Sequence, residues 1–261
     1  MLDQKTLASL QADLGLGEVA FYPSIPSTND AAREWLERGC PNYSLITADE
    51  QTKGKGRSGR TWYTLPSSAL ALSFILTEIR QSPSLLIGVA ALAVYGALSS
   101  LTNRQIKIKW PNDVLIEGKK VCGILVESQW SGDRLLGVIV GIGVNVSAGS
   151  LAFNEQVRYP AAYLEQFTDR PVSRASILKE ILTGIITWEK EPDPTTIVSE
   201  WNRRLAFRGQ TVTAIRSERA SLEGVLTGID QNGDLILVLP DNQAVHYSAN
   251  EIQVRPHPEN D

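Results

Sequence analysis

The residues best suited to chemistry lie in one short loop that is rich in glycine and in positive charge. Its sequence is Gly54-Lys55-Gly56-Arg57-Ser58-Gly59-Arg60, and Lys53 adds a fourth cation just before it. Glycine tolerates positive φ and carries no Cβ, so successive backbone amides can converge on a ligand. Four neighbouring cations repel one another unless an anion lies between them. The loop therefore predicts an anion site, with a solvated basic loop and a nucleic-acid contact as open alternatives.

Two further polar clusters stand where predicted elements begin or end. Lys109-Trp-Pro-Asn-Asp113 follows an alternating strand and offers a cation, an aromatic ring, an amide and a carboxylate. Ser27-Thr28-Asn29 precedes a helical segment. A turn stabilised by the Asn and Asp side chains is the simplest interpretation of the first cluster, and an N-cap is the simplest interpretation of the second. Taken alone, neither cluster indicates a binding site.

The apolar run Val140-Gly-Ile-Gly-Val-Asn-Val146 contains an amide, Asn145, that a buried strand does not favour. A buried amide needs hydrogen-bond partners, and the polar edge of a ligand can supply them. Gly137, Gly141 and Gly143 indicate either the close approach of a ligand or backbone, or a bulge in the strand. Both interpretations stay open from the sequence.

Composition excludes several other kinds of site. The chain has 261 residues, a formal charge of −4 and a pI of about 5.4, so it lacks the overall positive charge of a nucleic-acid binder. Cys40 and Cys122 are the two cysteines, too few for a disulfide framework or a zinc cluster. Because both are expected to be ordinary reduced thiols and no signal peptide is evident, we predict a cytoplasmic location. His246 and His257 lie far from the other polar clusters, which argues against a histidine metal site or a Ser/His/Asp triad.

The hydrophobic pattern predicts an α+β domain. Strands are predicted at Val19–Tyr22, Ser44–Ala48, Ala69–Leu76, Gln105–Trp110, Val114–Ile116, Val121–Glu127 and Leu135–Val146. Helices are predicted at Gln4–Leu14, Ala31–Arg38, Leu85–Leu101, Arg158–Gln166, Ser173–Trp188 and Ile197–Leu205. The apolar core of the third helix, 85–98, is shorter than the roughly 20 residues of a membrane span. We expect that helix to pack tightly between other elements.

The last part of the chain changes to short strands. These are predicted at Thr211–Ile215, Leu222–Ile229, Leu235–Leu239 and Ala244–Tyr247, with Asn232-Gly233 in a tight hairpin turn. They predict a small β-barrel added to the α+β domain. We therefore predict two domains, residues 1–208 and residues 209–261.

Four motifs follow one another between residues 54 and 145. They are the Gly/Arg loop, Lys109-Trp-Pro-Asn-Asp113, Lys120-Val-Cys-Gly-Ile-Leu-Val-Glu127 and Gly141-Ile-Gly-Val-Asn145. In this order and spacing, with Ser27-Thr28-Asn29 upstream, the chain resembles the biotin–protein ligases. The resemblance runs from about Ser24 to Val146 and continues more weakly to the end. It implies the mixed β-sheet catalytic domain of the biotin/lipoate ligases, which is similar to class II aminoacyl-tRNA synthetases, with a C-terminal SH3-like β-barrel.

The sequence departs from the family pattern at two points. The family loop usually begins Gly-Arg-Gly-Arg, whereas Lys55 stands at the first arginine position and lacks the planar fork of a guanidinium. Some members also carry an N-terminal helix-turn-helix domain, and the fewer than 30 residues before Ser27 are too few for one. With the acidic pI, this predicts a monofunctional ligase that does not bind DNA.

The resemblance implies two half-reactions. The biotin carboxylate attacks the α-phosphorus of ATP, pyrophosphate leaves and biotinyl-5′-AMP forms. A carrier lysine then attacks the acyl carbon, and AMP leaves. The implied catalytic residues are Arg57, Lys120 and Asp113. The implied biotin-binding residues are Ser27, Thr28, Asn29, Gln51, Gly54, Lys55, Gly56, Arg57, Lys120 and Gly123. The implied ATP- or adenylate-binding residues are Arg57, Arg60, Trp62, Lys109, Asn112 and Asn145.

The implied substrates are ATP and biotin, and Mg²⁺ is expected because it shields triphosphate charge with few protein ligands. No metal-binding residue is assigned. The expected partner is a biotin carboxyl carrier protein, with no DNA and no membrane, and pairing of two chains through an exposed strand edge stays open. The alternatives are a lipoate–protein ligase, which needs a long apolar slot without ureido contacts, and a non-catalytic regulatory module that senses a nucleotide.

A mobile cationic loop should close over the activated acyl group and protect it from water. We therefore expect Arg57→Gly to release activated biotin into solution faster than the wild-type chain does. Adenylate hydrolysis and carrier labelling, measured side by side, check this. A variant that hydrolyses adenylate no faster than wild type and transfers normally would show that the loop is not the lid.

Overall fold

A mixed sheet of eight strands forms the framework of residues 19–145. The computed structural model describes residues 2–152, 159–191, 193–217, 220–249 and 251–256. The order across the sheet is β1-β2-β4-β8-β7-β6-β5, with β3 paired to β2. β1 and β2 run parallel, and the other pairs are antiparallel. The strands are β1 Val19–Ile25, β2 Ser44–Lys55, β3 Thr61–Thr64, β4 Ala69–Leu76, β5 Ile106–Lys109, β6 Asp113–Ile116, β7 Lys119–Ser131 and β8 Arg134–Asn145.

Helices cover both faces of this sheet. They are α1 Gln4–Leu14, α2 Thr28–Glu37, α3 Pro83–Ser99, α4 Arg174–Glu189 and α5 Pro194–Arg204. On one face, α2 packs Trp35 and Leu36 against Ile46, Ile75 and Ile139. On the other face, α3 lies between the sheet and α4. All eight residues of β4 are buried, which confirms the prediction of a strand covered on both sides.

The outer strands of the sheet are partly covered by neighbouring residues. Gln4 of α1 accepts from the backbone N–H of Phe21 at 2.9 Å and donates to the carbonyl of Val19 at 3.3 Å. Its side-chain amide thus makes hydrogen bonds with β1 that a neighbouring strand would otherwise make. At the opposite edge, the N–H of Ala206 donates to the carbonyl of Ile108 in β5 at 2.8 Å. Covered edges are less available for pairing with a second chain.

Most predicted elements of residues 1–208 are confirmed, often within one or two residues. The main error is the helix predicted over 158–166, whose first residue lies outside the described residues. There, Lys120 donates its N–H to the carbonyl of Pro160 and accepts from the N–H of Ala162, so the chain pairs as an extended segment. A short 3-10 helix, Leu164–Phe167, follows. Strand β3 was not predicted, and the predicted end of β2 at Ala48 lies seven residues before its observed end at Lys55.

The C-terminal residues form a separate antiparallel sheet of five strands. Its order is β12-β11-β10-β9-β13, and β13 was not predicted. Gly233 has a φ of 82° in the β10–β11 turn, as the Asn-Gly signal requires. The sheet fits the predicted SH3-like barrel, and the boundary at residue 208 stays a prediction. The strands are β9 Thr211–Ser217, β10 Ala220–Ile229, β11 Leu235–Val238, β12 Ala244–Tyr247 and β13 Gln253–Pro256.

Buried tryptophans join this sheet to the first domain. The indole Nε1–H of Trp110 donates to the carbonyl of Gly233 at 2.9 Å. Trp201 of α5 is 1% exposed and lies against Gly88 of α3 and near Gly233. α3 is thus a packed helix, as predicted, and no helix in the described part of the chain is long and apolar enough to cross a membrane.

Gly88 is the point at which α3 can be tested against its partners. A Cβ at Gly88 would overlap the ring of Trp201. We expect Gly88→Ala to lower the free energy of unfolding by about 1–3 kcal/mol, because overpacking a buried indole forces a shift of the helix or the ring. Urea denaturation measures this.

Gly96→Ala is the matched control in the same helix, since a Cβ there meets nothing within 4 Å. It should raise the unfolding free energy by up to about 1 kcal/mol, through helix propensity alone. Equal effects of the two substitutions would contradict the packing of Trp201 on Gly88.

Candidate functional site

A cleft of about 650 Å³ brings the predicted site residues together. It lies between the start of α2, the β2–β3 connection, the β5–β6 turn, strands β7 and β8, and strand β13. Of the predicted residues, Gly54 alone is not part of its lining and borders a groove on the outer side of the loop. Gly54 pairs with Trp62 across β2 and β3, where a Cβ would overlap the carbonyl of Trp62. Strand pairing, rather than a ligand, accounts for this glycine.

The inner end of the cleft holds a buried polar cluster. The backbone N–H of Thr28 donates to Oε1 of Gln51 at 2.8 Å. Ser73 Oγ lies 2.8 Å from Oγ1 of Thr28 and 2.5 Å from Oδ1 of Asn29. Ser27 caps α2 by accepting from the N–H of Asp30 at 3.4 Å, which confirms the predicted N-cap. The same residues therefore begin the helix and line the cleft.

Ser73 was missed by the sequence analysis, although the sequence carried a signal. It is the one polar residue of β4, whose sequence is Ala-Leu-Ala-Leu-Ser-Phe-Ile-Leu. A hydroxyl in a strand that is buried throughout requires a partner, and here the partners are the two residues that follow Ser27.

Two glycines of β8 are explained by side chains that approach the sheet. Gly141 pairs with Ser73, and a Cβ on it would overlap the amide of Asn29. Gly143 pairs with Gly123 of β7, and the ring of Trp62 lies against both. At both positions a side chain approaches the strand, rather than the ligand, the backbone or the bulge that the sequence left open. The Nε1–H of Trp62 is buried without a hydrogen-bond partner in the described residues, which leaves a donor for a ligand.

Asp113 is the acidic centre of the cleft. Its carboxylate lies 2.6 Å from Nζ of Lys120 and 3.8 Å from Nζ of Lys109. Burial alone would raise the pKa of Asp113, but the two ammonium groups, with a smaller effect of Arg57, hold it below its usual value. Burial lowers the pKa of Lys109, and Asp113 opposes part of that shift. One carboxylate thus keeps two cations in place.

Lys120 is not the solvated turn residue that its hairpin position indicates. The turn consists of Glu117 and Gly118, with φ values of 48° and 72°. A register shift between Val114 and Leu115 follows in β6. Lys119 remains exposed, whereas the ammonium of Lys120 lies in the cleft, 5.7 Å from the ring centre of Trp62.

The loop arginines are held by the C-terminal sheet. Arg57 donates to Oδ1 of Asn112 at 3.0 Å and to the carbonyl of Ala249. Arg60 donates to Oε1 of Gln253 in β13 at 2.6 Å. Burial lowers the pKa of Arg57, although a guanidinium stays protonated in proteins. Gln253 gave no signal in the sequence, because its link to the loop spans almost 200 residues.

Lys55 turns away from the arginines. Its ammonium lies 2.5 Å from Oδ1 of Asp30, in the first turn of α2. Asp30 also pairs with Arg33 at 3.0 Å. The lysine that replaces the expected arginine therefore attaches the loop to α2.

Asn145 and Tyr159 lie on the cleft beyond the lysines. Asn145 donates from Nδ2 to the carbonyl of Ala162 at 3.0 Å, which fixes the direction of its amide. The Nζ of Lys109 lies 4.9 Å from the ring centre of Tyr159. Across the described ranges, no group of three or more His, Cys, Asp or Glu residues is placed to hold a metal ion.

Comparison with known proteins gives matches over both parts of the chain. Residues 21–145 match the biotin/lipoate A/B protein ligase family, and residues 207–255 match the biotin protein ligase C-terminal domain. The chain is 33% identical to the bifunctional ligase/repressor BirA of Bacillus spizizenii, over 90% of this chain and 74% of that protein. It is 35% identical to the biotin–[acetyl-CoA-carboxylase] ligase of Paracoccus denitrificans, over 84% of this chain and 93% of that protein.

Solved structures agree with these matches. The biotin protein ligase of Aquifex aeolicus, solved in complex with biotin and ATP, superposes with a TM-score of 0.78 at 26% identity. The superposition covers 92% of this chain and 99% of that one. The fold includes the C-terminal sheet, because nearly the whole of both chains is matched.

The pairing of Asp113 with two lysines predicts a pH-dependent stability. The pKa of Asp113 is lower in the folded than in the unfolded chain. Its contribution to the free energy of unfolding is therefore complete above the unfolded-state pKa of about 4, and it is lost as the pH falls through the folded-state pKa. We expect Asp113→Asn to cost about 3 kcal/mol of unfolding free energy at neutral pH, because it leaves two lysines without a counter-charge. The difference from wild type should be constant above about pH 5 and should shrink as the pH falls below about 4. Urea denaturation of both chains over this range measures it, and a pH-independent difference would contradict the ion pairs.

Proposed function

This chain belongs to the biotin protein ligase family, and we propose that it activates biotin with ATP and transfers the biotinyl group to a lysine of a biotin carboxyl carrier protein. The observation that carries the proposal is one cleft with two chemically different ends. The buried polar cluster of Thr28, Asn29, Gln51 and Ser73 lies at one end, and the cations lie at the other. A ureido ring suits the first end, and a carboxylate with a triphosphate suits the second.

The polar cluster supports biotin more than lipoate as the substrate. A ureido ring offers two N–H donors and one carbonyl acceptor, and needs a matching set of short polar side chains. Thr28 and Gln51 provide a hydroxyl and an amide group that lie 3.1 Å apart, and the backbone N–H of Thr28 donates to Oε1 of Gln51. The ring end of a lipoyl group offers no comparable donors and acceptors, so it would lack hydrogen bonds worth about 0.5–1.5 kcal/mol each that a ureido ring can make.

The cations are proposed to stabilise the first half-reaction. When the carboxylate attacks the α-phosphorus and pyrophosphate leaves, negative charge collects on the phosphate oxygens. Arg57 and Arg60 are placed to neutralise this charge, and Lys120 to hold the attacking carboxylate. Fixed donors in a partly buried site act with little reorganisation, so positioning and electrostatics account for the catalysis. Lys109 and Asn112 are proposed to contact the same adenylate, and Asn145 its base.

The second half-reaction needs an unprotonated lysine beside the acyl carbon. We propose that Lys120 remains on the acyl-phosphate oxygens while the acceptor amine attacks and AMP leaves. Asp113, held between Lys120 and Lys109, is proposed to orient the incoming amine. The Gly/Arg loop excludes water during both steps.

Mg²⁺ is proposed to enter with ATP. Mg²⁺ commonly uses one or two carboxylates together with substrate phosphates. Among the described residues of the cleft lining, Asp113 is the carboxylate, and it already pairs with two lysines. The donor set therefore fits a cation carried by the triphosphate rather than one held by a protein cage.

The two parts of the chain are proposed to act as one enzyme. Residues 1–208 would form the catalytic domain, and residues 209–261 a smaller domain that holds the loop arginines through Ala249 and Gln253. Free and buried Cys40 and Cys122 are compatible with the proposed cytoplasmic location.

A pyrophosphate-release assay tests the function directly. With ATP and biotin, we expect pyrophosphate release that accelerates when a biotin carboxyl carrier domain lacking biotin is added, because transfer regenerates the free enzyme. Mass spectrometry should show one biotinyl group on that carrier. Lipoate is the matched control: equal release with lipoate would contradict specificity for biotin, and faster release would assign the chain to lipoate instead.

A further inference from the structure

We propose that Glu127 is a positioning residue that sets the direction of hydrogen bonding in the biotin pocket. This inference rests on the proposed function, and it concerns a side chain that has no assigned role in it. Glu127 lies near the middle of β7, on the side of the sheet that faces α2 and two strand positions beyond Leu125 of the cleft lining. It reaches the pocket through Asn29.

Three contacts connect Glu127 with the polar cluster. Nδ2 of Asn29 donates to Oε2 of Glu127 at 2.6 Å. On the other side of the same amide, Oδ1 of Asn29 lies 2.5 Å from Oγ of Ser73. Ser73 in turn lies 2.8 Å from Oγ1 of Thr28, which lines the pocket. The path from Glu127 to the ligand thus passes through three side chains.

The position of each proton along this path follows from the carboxylate. A carboxylate only accepts hydrogen bonds, so the amide of Asn29 must turn its NH₂ toward Glu127 and its oxygen toward Ser73. At 2.5 Å, two oxygens repel unless a proton lies between them, so Ser73 must donate to Asn29. Ser73 has one hydroxyl proton, so the proton of Thr28 makes their 2.8 Å contact. Oε1 of Gln51, which lies 3.1 Å from Oγ1 of Thr28, then accepts only from the backbone N–H of Thr28.

This order leaves the lone pairs of Thr28 for the pocket. An acceptor at that point matches the N–H groups of a ureido ring. Gly141 makes the arrangement sterically possible, because any side chain there would overlap the amide of Asn29. Glu127 therefore acts on the ligand without touching it.

Arg33 holds Glu127 in this orientation. Its guanidinium nitrogen Nη2 lies 3.2 Å from Oε1 of Glu127, and Nη1 lies 3.0 Å from Oδ1 of Asp30. In Glu127→Gln, the single amide oxygen would turn toward the guanidinium of Arg33, because that contact is charge-assisted. The NH₂ group would then face Asn29 and force its amide to flip. Ser73 would have to donate to Thr28, and the Thr28 proton would turn to Oε1 of Gln51, 3.1 Å away. Thr28 would then keep one lone pair fewer for the pocket.

The test is biotin binding by calorimetry to the full chain, with KM for ATP as a second measurement. We expect Glu127→Gln to raise the Kd for biotin about tenfold and to leave KM for ATP within about twofold of wild type. Glu34→Gln is the matched control, because it makes the same change at an exposed carboxylate of α2. It should bind biotin as wild type does.

A double-mutant cycle separates positioning from a general loss of structure. If Glu127 acts through Asn29, Glu127→Gln should add nothing to the Kd of an Asn29→Ala chain. Arg33→Gln, at a half-buried position, repeats the test without altering a buried group, and should give a smaller increase that also disappears with Asn29→Ala.

Two outcomes overturn the inference. A positioning role is excluded if the Glu127→Gln and Arg33→Gln chains bind biotin as wild type does. It is also excluded if the increase in Kd caused by either substitution multiplies with that of Asn29→Ala in the double variant. A wild-type chain that does not bind biotin would instead overturn the proposed function, and the inference with it.

Discussion

The cleft depends on an excess of positive charge around a single carboxylate. Asp113 pairs with Lys109 and Lys120, and the charge of Arg57 also acts on it, while Arg60 lies at an exposed position of the same cleft. Removing cations from water is costly unless an anion compensates them. One carboxylate cannot compensate four cations, so the cleft is most stable when it holds a polyanion. The phosphates of ATP would thus compensate the positive charges whose repulsion destabilises the folded cleft.

The elements that hold these cations come from distant parts of the sequence. The β5–β6 turn supplies Lys109 and Asp113, and the adjacent hairpin supplies Lys120. Strand β13 accepts from Arg60, and the β12–β13 connection accepts from Arg57. The C-terminal sheet is itself anchored where Trp110 donates to its β10–β11 turn. Trp110 follows Lys109 directly, so packing between the two sheets and alignment of the cations are coupled. Loosening the C-terminal sheet should therefore disturb the loop.

The elements that depend on neighbouring residue types were predicted from the sequence. The site residues that depend on strand register were not. The limits of α1, the cap at Ser27 and the apolar strand β4 follow from residue types within a few positions, and the structure confirms them. Glu127, Ser73 and Gln253 reach the site only because particular strands lie side by side, which no local pattern encodes. The helix predicted over 158–166 is wrong because backbone pairing with Lys120 is stronger than the helical preference of that segment.

The partners of the loop cations explain how this chain can function with a lysine at position 55. The pair of Lys55 with Asp30 is more than one-third exposed at both side chains, so it contributes at most about 1 kcal/mol. Arg57 and Arg60, in contrast, donate to a carbonyl and to side-chain amides, which are neutral acceptors. Their charges remain largely uncompensated, and phosphates can replace neutral acceptors without breaking an ion pair. Under the proposed function, phosphate binding falls to the two arginines, and position 55 needs only a cation that holds the loop against α2.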